Sequence, residues 1–176
     1  MIAVIILSMM LNKTPGKAVQ MEYMNKVDEF CSEYNLAYDE LDHPNSILTL
    51  EGDRDPVSDA DIDLLERVVA AEARGENVDC QEAIATVILN RWQDGNFGDT
   101  LTEVMTAEGQ FAEPYDGEIS IITHLAVKNA LIYYNTFYMC IPHQVLYFRA
   151  HNYHNFGMPY CSIDNTYFST RENVVL

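Results

Sequence analysis

Positive charge is what this sequence has least of. Its 176 residues contain 10 Lys+Arg against 27 Asp+Glu, a formal net charge of −17. Such a field repels polyanions, so nucleic acid is not expected as a partner and binding to anionic lipid headgroups is disfavoured. Long apolar runs are also missing. Residues 1–11, MIAVIILSMML, are too short to span a bilayer comfortably as a helix, so stable membrane insertion is not expected. The four cysteines are Cys31, Cys80, Cys140 and Cys161, and no two of them form C-x-x-C. That excludes a zinc knuckle or a thioredoxin-type motif. Spacing leaves open whether they are free thiols or one or two disulfides. Disorder throughout is excluded by a composition of 48% hydrophobic and 21% charged residues. The length allows one domain with a sizeable core and an N-terminal appendage.

That appendage is expected to be residues 1–57, with the main domain at 58–176. The run 1–11 has the length of a secretory h-region, and Gly16-Lys17-Ala18 offers small residues after it. No basic residue precedes the run, so a buried N-terminal helix or strand is the alternative. Export would put the protein outside the cell or in the wall. Met24, Val27, Cys31, Tyr34, Tyr38 and Leu41 recur at three- and four-residue spacing, which predicts an amphipathic helix over 21–41 packed on the main domain. Residues 51–59 are acidic, contain Pro56 and read as a linker.

In the main domain, Ser58-Asp59-Ala60-Asp61 has the form of a capping box. It predicts a helix over 61–74, stopped by Gly75. A second helix is expected over 79–94, with Ile84, Val87 and Ile88 on its apolar face and Gly95-Asn96 at its end. Thr100 to Glu103 is a further capping box, opening a short helix. A fourth is expected over 118–134, with Ile119, Ile122, Ala126 and Tyr133 inward. Residues 145–148 and 166–169 read as strands, separated by a polar, aromatic loop at 151–160. The fold class is α+β: helices first, then a small antiparallel sheet.

One residue breaks its pattern. Ile62, Leu65 and Val69 share a helix face, and the same rhythm continues to Glu72. A carboxylate in line with a buried face either finds a partner or has its pKa raised by desolvation, which suits a general acid near neutral pH. The alternative is a buried ion pair with Arg67, Arg74 or Arg91.

Residues 65–76, LERVVAAEARGE, followed by 81–91, QEAIATVILNR, resemble the signature of the SleB-like, spore cortex-lytic family of cell-wall hydrolases. Gly109-Gln110-Phe111 resembles the next block of that family. Residues 145–148 and 163–168 resemble its terminal strands. The resemblance implies a lysozyme-like, lytic-transglycosylase-like domain acting on peptidoglycan glycan strands. It implies cleavage of the MurNAc–GlcNAc β-1,4 bond by one catalytic glutamate, Glu72, with a 1,6-anhydro product and no metal or cofactor. Two positions depart from the pattern. Cys80 stands where the family usually has glycine, and Thr166 replaces a common histidine. No repeat-type peptidoglycan-binding module is visible ahead of the domain, so ordinary wall rather than spore cortex is the expected substrate. A phage lysin or virion-associated hydrolase is an alternative setting.

Candidate substrate-binding residues are Glu76, Gln110, Phe111, Tyr147 and Tyr167. Glu76 could orient substrate or Arg74, or be a solvated carboxylate. Gln110 offers an amide to sugar hydroxyls, and Phe111 either stacks on a sugar or packs in the core. Tyr147, Tyr153, Phe156, Tyr160 and Tyr167 could in part line a glycan groove, with most of them expected in the core. Asn90 and Arg91 are expected to tie down loop carbonyls. Two rival functions remain. His143, His151 and His154 could hold zinc in an amidase, although H-E-x-x-H spacing is missing. Alternatively, the chain could be an inactive wall-binding or structural virion protein.

Overall fold

The structure, a computed structural model, describes residues 57–134 and 139–171. The apolar run 1–11, the helix expected over 21–41, Cys31 and the linker as far as residue 56 lie outside the described residues.

Helix α1 covers Asp59–Ala73. Its capping box forms as expected: the Ser58 hydroxyl accepts from the Asp61 N–H at 3.2 Å, and the Asp61 carboxylate accepts from the Ser58 N–H at 3.1 Å. Gly75 follows the helix end but lacks the left-handed conformation of a glycine cap, because Arg74 caps the helix with right-handed dihedrals. Helix α2, Val78–Asp94, is opened by Asn77, whose side chain accepts from the Cys80 N–H at 2.9 Å. It is closed by Gly95 at φ 73°, where a left-handed residue costs glycine little.

The stripe of Ile84, Val87 and Ile88 understates the burial of α2. Every residue from Cys80 to Trp92 is buried, because α1, α4, β1 and the short helix α3 (Leu101–Thr106) all pack around it. The polar residues of α2 are satisfied inside. The Gln81 amide oxygen accepts from the Thr123 hydroxyl at 2.7 Å. Asn90 donates to the carbonyls of Pro142 and Val145, each at 3.0 Å, and accepts from the Tyr134 hydroxyl at 3.0 Å.

Helix α4, Ile121–Tyr133, begins later than the sequence pattern suggests, with Ser120 as its cap. It buries Thr123, Ala126, Val127, Ala130 and Leu131. Of the inward set expected from periodicity, only Ala126 is buried; Ile119, Ile122 and Tyr133 are half-buried. The hydrogen bond from Thr123 to the buried Gln81 turns that face inward.

Three antiparallel strands complete the domain: β1 (Val145–Ala150), β2 (Met158–Ile163) and β3 (Thr166–Thr170), in the order β1-β3-β2. Strand β2 corrects the expectation of a loop over 151–160. Pro159 and Gly157 read as loop residues, yet β2 is an edge strand, where a missing N–H is tolerated. Phe168 of β3 is fully buried and meets Phe148 of β1 with ring centroids 6.3 Å apart.

The two positions that depart from the expected pattern are neighbours in space: burial raises the Cys80 thiol, and the Thr166 side chain opposes that rise. Cys80, Cys140 and Cys161 are all free thiols. Burial pushes the thiols of Cys80 and Cys140 up to about 12. Cys140 is an exposed residue, but its sulfur lies 3.2 Å from the buried Thr86 hydroxyl.

Two glycines should respond differently to Ala. Gly157 has φ +75°, and a Cβ there would lie 2.4 Å from the Thr170 carbonyl oxygen. Gly157→Ala should destabilise the domain by about 1–3 kcal/mol through strain in the β2–β3 pairing. Gly75 has nothing within 4 Å of its Cβ position, so Gly75→Ala should change stability by less than about 1 kcal/mol. Urea unfolding of both variants checks this; equal effects would refute the strain argument.

Candidate active site

Glu72 lies on the last turn of α1, half-buried. This corrects the expectation that it continues the buried stripe. A stripe can continue at i+3 or i+4, and after Val69 it runs to Ala73, which is 3% exposed. Glu72 is thereby turned to the edge of the domain. There its Oε1 accepts a 2.7 Å hydrogen bond from the Ala112 backbone N–H.

The segment that supplies this N–H runs alongside α1, from Glu72 back to Arg67. Arg67 donates from Nη1 to the Tyr115 carbonyl, and its own carbonyl accepts from the Tyr115 N–H, both at 3.1 Å. The Arg74 guanidinium sits over the Tyr115 ring, 4.8 Å from its centroid. Of the three arginines considered as ion-pair partners for Glu72, Arg67 pairs instead with Asp63 at 2.8 Å. Arg74 is occupied by Tyr115. Arg91 makes no ion pair with Glu72, but the two charges attract.

Arg91 is 6% exposed. Its Nε donates to the Leu146 carbonyl at 2.7 Å, as expected of a residue tying down loop carbonyls, and its Nη1 donates to Gln110 Oε1 at 3.3 Å. The guanidinium also lies among three rings, 4.9 Å from the Phe111 centroid, 5.0 Å from Phe97 and 6.0 Å from Tyr147. Burial lowers its pKa to about 10, against the attraction of Tyr147 and Glu72. Phe111 also stacks on Phe148 at 6.2 Å and packs against the core. Thus Gln110, Phe111 and Tyr147 converge on one cation whose charge also acts on Glu72. From the sequence, Arg91 is expected both to tie down loop carbonyls and as one of three possible ion-pair partners of Glu72. The available signal was a basic side chain within an otherwise buried helix run.

Glu76 and Tyr167 belong to other neighbourhoods. Glu76 faces the β2–β3 turn, where burial and the adjacent Asp164 raise its pKa. Asp164 accepts from the Asn77 N–H at 2.8 Å and from its side-chain amide at 2.9 Å. Tyr167 packs edge-on against Tyr153 at 4.9 Å. Tyr147 meets Phe156 at 5.2 Å. Tyr147, Tyr153 and Tyr167 are half-buried, while Phe156 and Tyr160 are exposed, which corrects the expectation that most of these rings are core.

The histidines do not assemble. His143 Nδ1 lies 3.3 Å from the Tyr134 hydroxyl, His154 Nε2 is 3.0 Å from the Phe148 carbonyl oxygen, and His151 Nδ1 is 2.6 Å from the Asn165 amide. Among the described residues no group of three His, Cys, Asp or Glu side chains is arranged to hold a metal ion.

Burial selects a different carboxylate from the one the stripe picked out. Glu82 of α2 is 9% exposed. Desolvation raises it to about 7, opposed by hydrogen bonds from Asn129, at 3.1 Å, and Cys140.

Residues 75–168 match the family model described as Cell Wall Hydrolase. Glu72 lies just ahead of the matched residues. The chain is similar to spore cortex-lytic enzymes of Oceanobacillus iheyensis, 42% identical over 75 residues, and Halalkalibacterium halodurans, 36% identical over 75 residues. Each match takes in 43% of this chain and, respectively, 27% and 23% of the relative, so the chain matches about a quarter of each relative's length. The fold is that of the catalytic domain of Bacillus cereus SleB (TM-score 0.55, 23% identity, 66% of this chain and 94% of that one). It is equally that of the catalytic domain of a germination-specific lytic transglycosylase, SleB of Bacillus anthracis (TM-score 0.52, 24% identity, 64% and 96%).

The burial of Glu82 has a pH signature. Below the unfolded value of about 4.3 the carboxyl is neutral in both states. Between there and the folded value of about 7 the unfolded chain ionises first, so this residue's contribution to stability falls as pH rises, then levels off. Glu82→Gln should therefore stabilise the protein more at pH 8 than at pH 4.5. Thermal melts at the two pH values check this, and an equal difference at both would show that Glu82 is not desolvated.

Proposed function

The chain belongs to the cell wall hydrolase family, and on that premise we propose that it degrades peptidoglycan, with Glu72 as its acid–base residue. The observation that carries this reading is the setting of Glu72. It is a half-buried carboxyl at a domain edge, held at Oε1 by a single backbone N–H. The Phe111 and Tyr147 rings and the Gln110 amide lie around the adjacent Arg91. Rings offer stacking faces to sugars, and the amide offers a polar contact.

The protonated Glu72 donates to the oxygen of the MurNAc–GlcNAc β-1,4 bond as that bond breaks. The carboxylate left behind takes the proton of the muramic C6 hydroxyl, which closes a 1,6-anhydro ring and returns Glu72 to its starting state. The nucleophile belongs to the substrate, so the step needs no second carboxylate, unlike hydrolysis by a pair of carboxylates. The Ala112 N–H holds Oε1 of this carboxyl in place. The similar proteins named for cortex lysis and lytic transglycosylation support this class of reaction. The action is accordingly placed at the wall or cortex, outside the membrane.

Glu72→Gln keeps the shape of the side chain and its bond to Ala112 but cannot transfer a proton. Wall lysis should fall by roughly two to four orders of magnitude, with stability changed by less than about 1 kcal/mol for a surface substitution. Mass spectrometry of the released muropeptides should show anhydro-muramic ends. A folded Glu72→Gln protein with full lysis would remove Glu72 from the mechanism.

EDTA should leave lysis unchanged, because the proposed steps move protons only. Loss of lysis restored by zinc would instead show that the reaction runs through a metal and would overturn the proton-only mechanism.

A further inference from the structure

We infer that Arg91 is the positioning residue of this site: it clamps the turn before Ala112, so that the Ala112 N–H holds the Glu72 carboxylate in one place. The inference rests on the reading of Glu72 as the acid–base residue and deepens it.

Packing alone gives no reason for a guanidinium here. A buried cation is costly unless its donors are satisfied, and an apolar residue of similar volume often serves stability better. The contacts of Arg91 share one feature: they tie separate segments of the chain to α2, one of them the segment that contacts Glu72. Nε holds the Leu146 carbonyl of β1. Nη1 holds Gln110, and the guanidinium face lies on Phe111. The next residue along the chain is Ala112, whose N–H reaches Glu72 Oε1 at 2.7 Å. The path from Arg91 to the reacting carboxyl therefore consists of two side-chain contacts, one peptide link and one hydrogen bond. The charge of Arg91 also attracts the same carboxylate directly. A planar fork can meet a carbonyl, an amide and aromatic faces together, whereas an ammonium of the same charge cannot.

The test is Arg91→Lys in the full chain, assayed on solubilised glycan strands. The charge remains but the clamp is lost. We expect kcat to fall ten- to hundred-fold, the cost of misplacing a catalytic group by about 1 Å, with KM within about twofold. Amide exchange at Ala112 should quicken. Gln110→Ala, at an exposed position, should lower kcat several-fold. The double variant should lose no more than Arg91→Lys alone, because the two act along one path. Wild-type kcat in a folded Arg91→Lys protein overturns the inference. So does a rise in KM at constant kcat, which would mark Arg91 as a substrate contact. If Arg91→Lys does not fold, Gln110→Ala decides, and unchanged kcat there overturns the inference. Glu72→Gln, run in parallel, separates the two ideas. Full activity in that variant brings both down. An inactive Glu72→Gln beside a fully active Arg91→Lys removes only the role of Arg91.

Discussion

A guanidinium taken out of water must be given acceptors and a polarisable surface, and Arg91 finds them on separate parts of the chain. Leu146 supplies a carbonyl, Gln110 an amide oxygen, and Phe97, Phe111 and Tyr147 supply rings. No carboxylate lies within ion-pair distance of it among the described residues. Solvating this one cation draws the 107–116 segment and β1 towards α2, and the edge of the domain that carries Glu72 takes its shape from that convergence.

Helix α2 makes the convergence possible because it is surrounded. Its sequence mixes polar and apolar residues, yet Gln81, Thr86, Asn90 and Arg91 are buried along with Ile84 and Leu89. Each of these polar groups ends on another element: Gln81 on α4, Thr86 on Cys140, Asn90 and Arg91 on the chain entering β1. A buried polar group tolerates few geometries. These bonds therefore fix the direction in which the neighbouring segments approach, which apolar packing would leave looser.

The parts legible in the sequence were those governed by local rules. The capping boxes at Ser58 and Thr100 and the glycine stop at Gly95 depend on residues within one turn, and they appear where the pattern put them. Strands β1 and β3 carry dense β-branched and aromatic residues and were equally readable. Strand β2 was missed because Gly157 and Pro159 signal a loop, and only its place at the sheet edge makes them acceptable. The phase of α4 was misjudged because a hydrogen bond to Gln81, 42 residues away in the chain, decides it. At the site, the expected stripe runs to Glu72, whereas in the fold it runs to Ala73 and leaves Glu72 half-buried. Periodicity does not distinguish Glu72 from Ala73 as the inward residue, and it does not reveal that Glu82, on a helix packed on several sides, is desolvated.

The state of the cysteines has a consequence for handling and for history in the cell. Thiol chemistry proceeds through the thiolate. With burial pushing Cys80 and Cys140 up to about 12, both stay in the thiol form at neutral pH. The folded domain is therefore a poor target for alkylation and for disulfide exchange at these two positions. Each becomes an ordinary thiol only when the structure around it opens, Cys80 when β3 leaves α2 and Cys140 when it parts from Thr86. Their labelling rates would record separate openings at the first turn and at the middle of one helix.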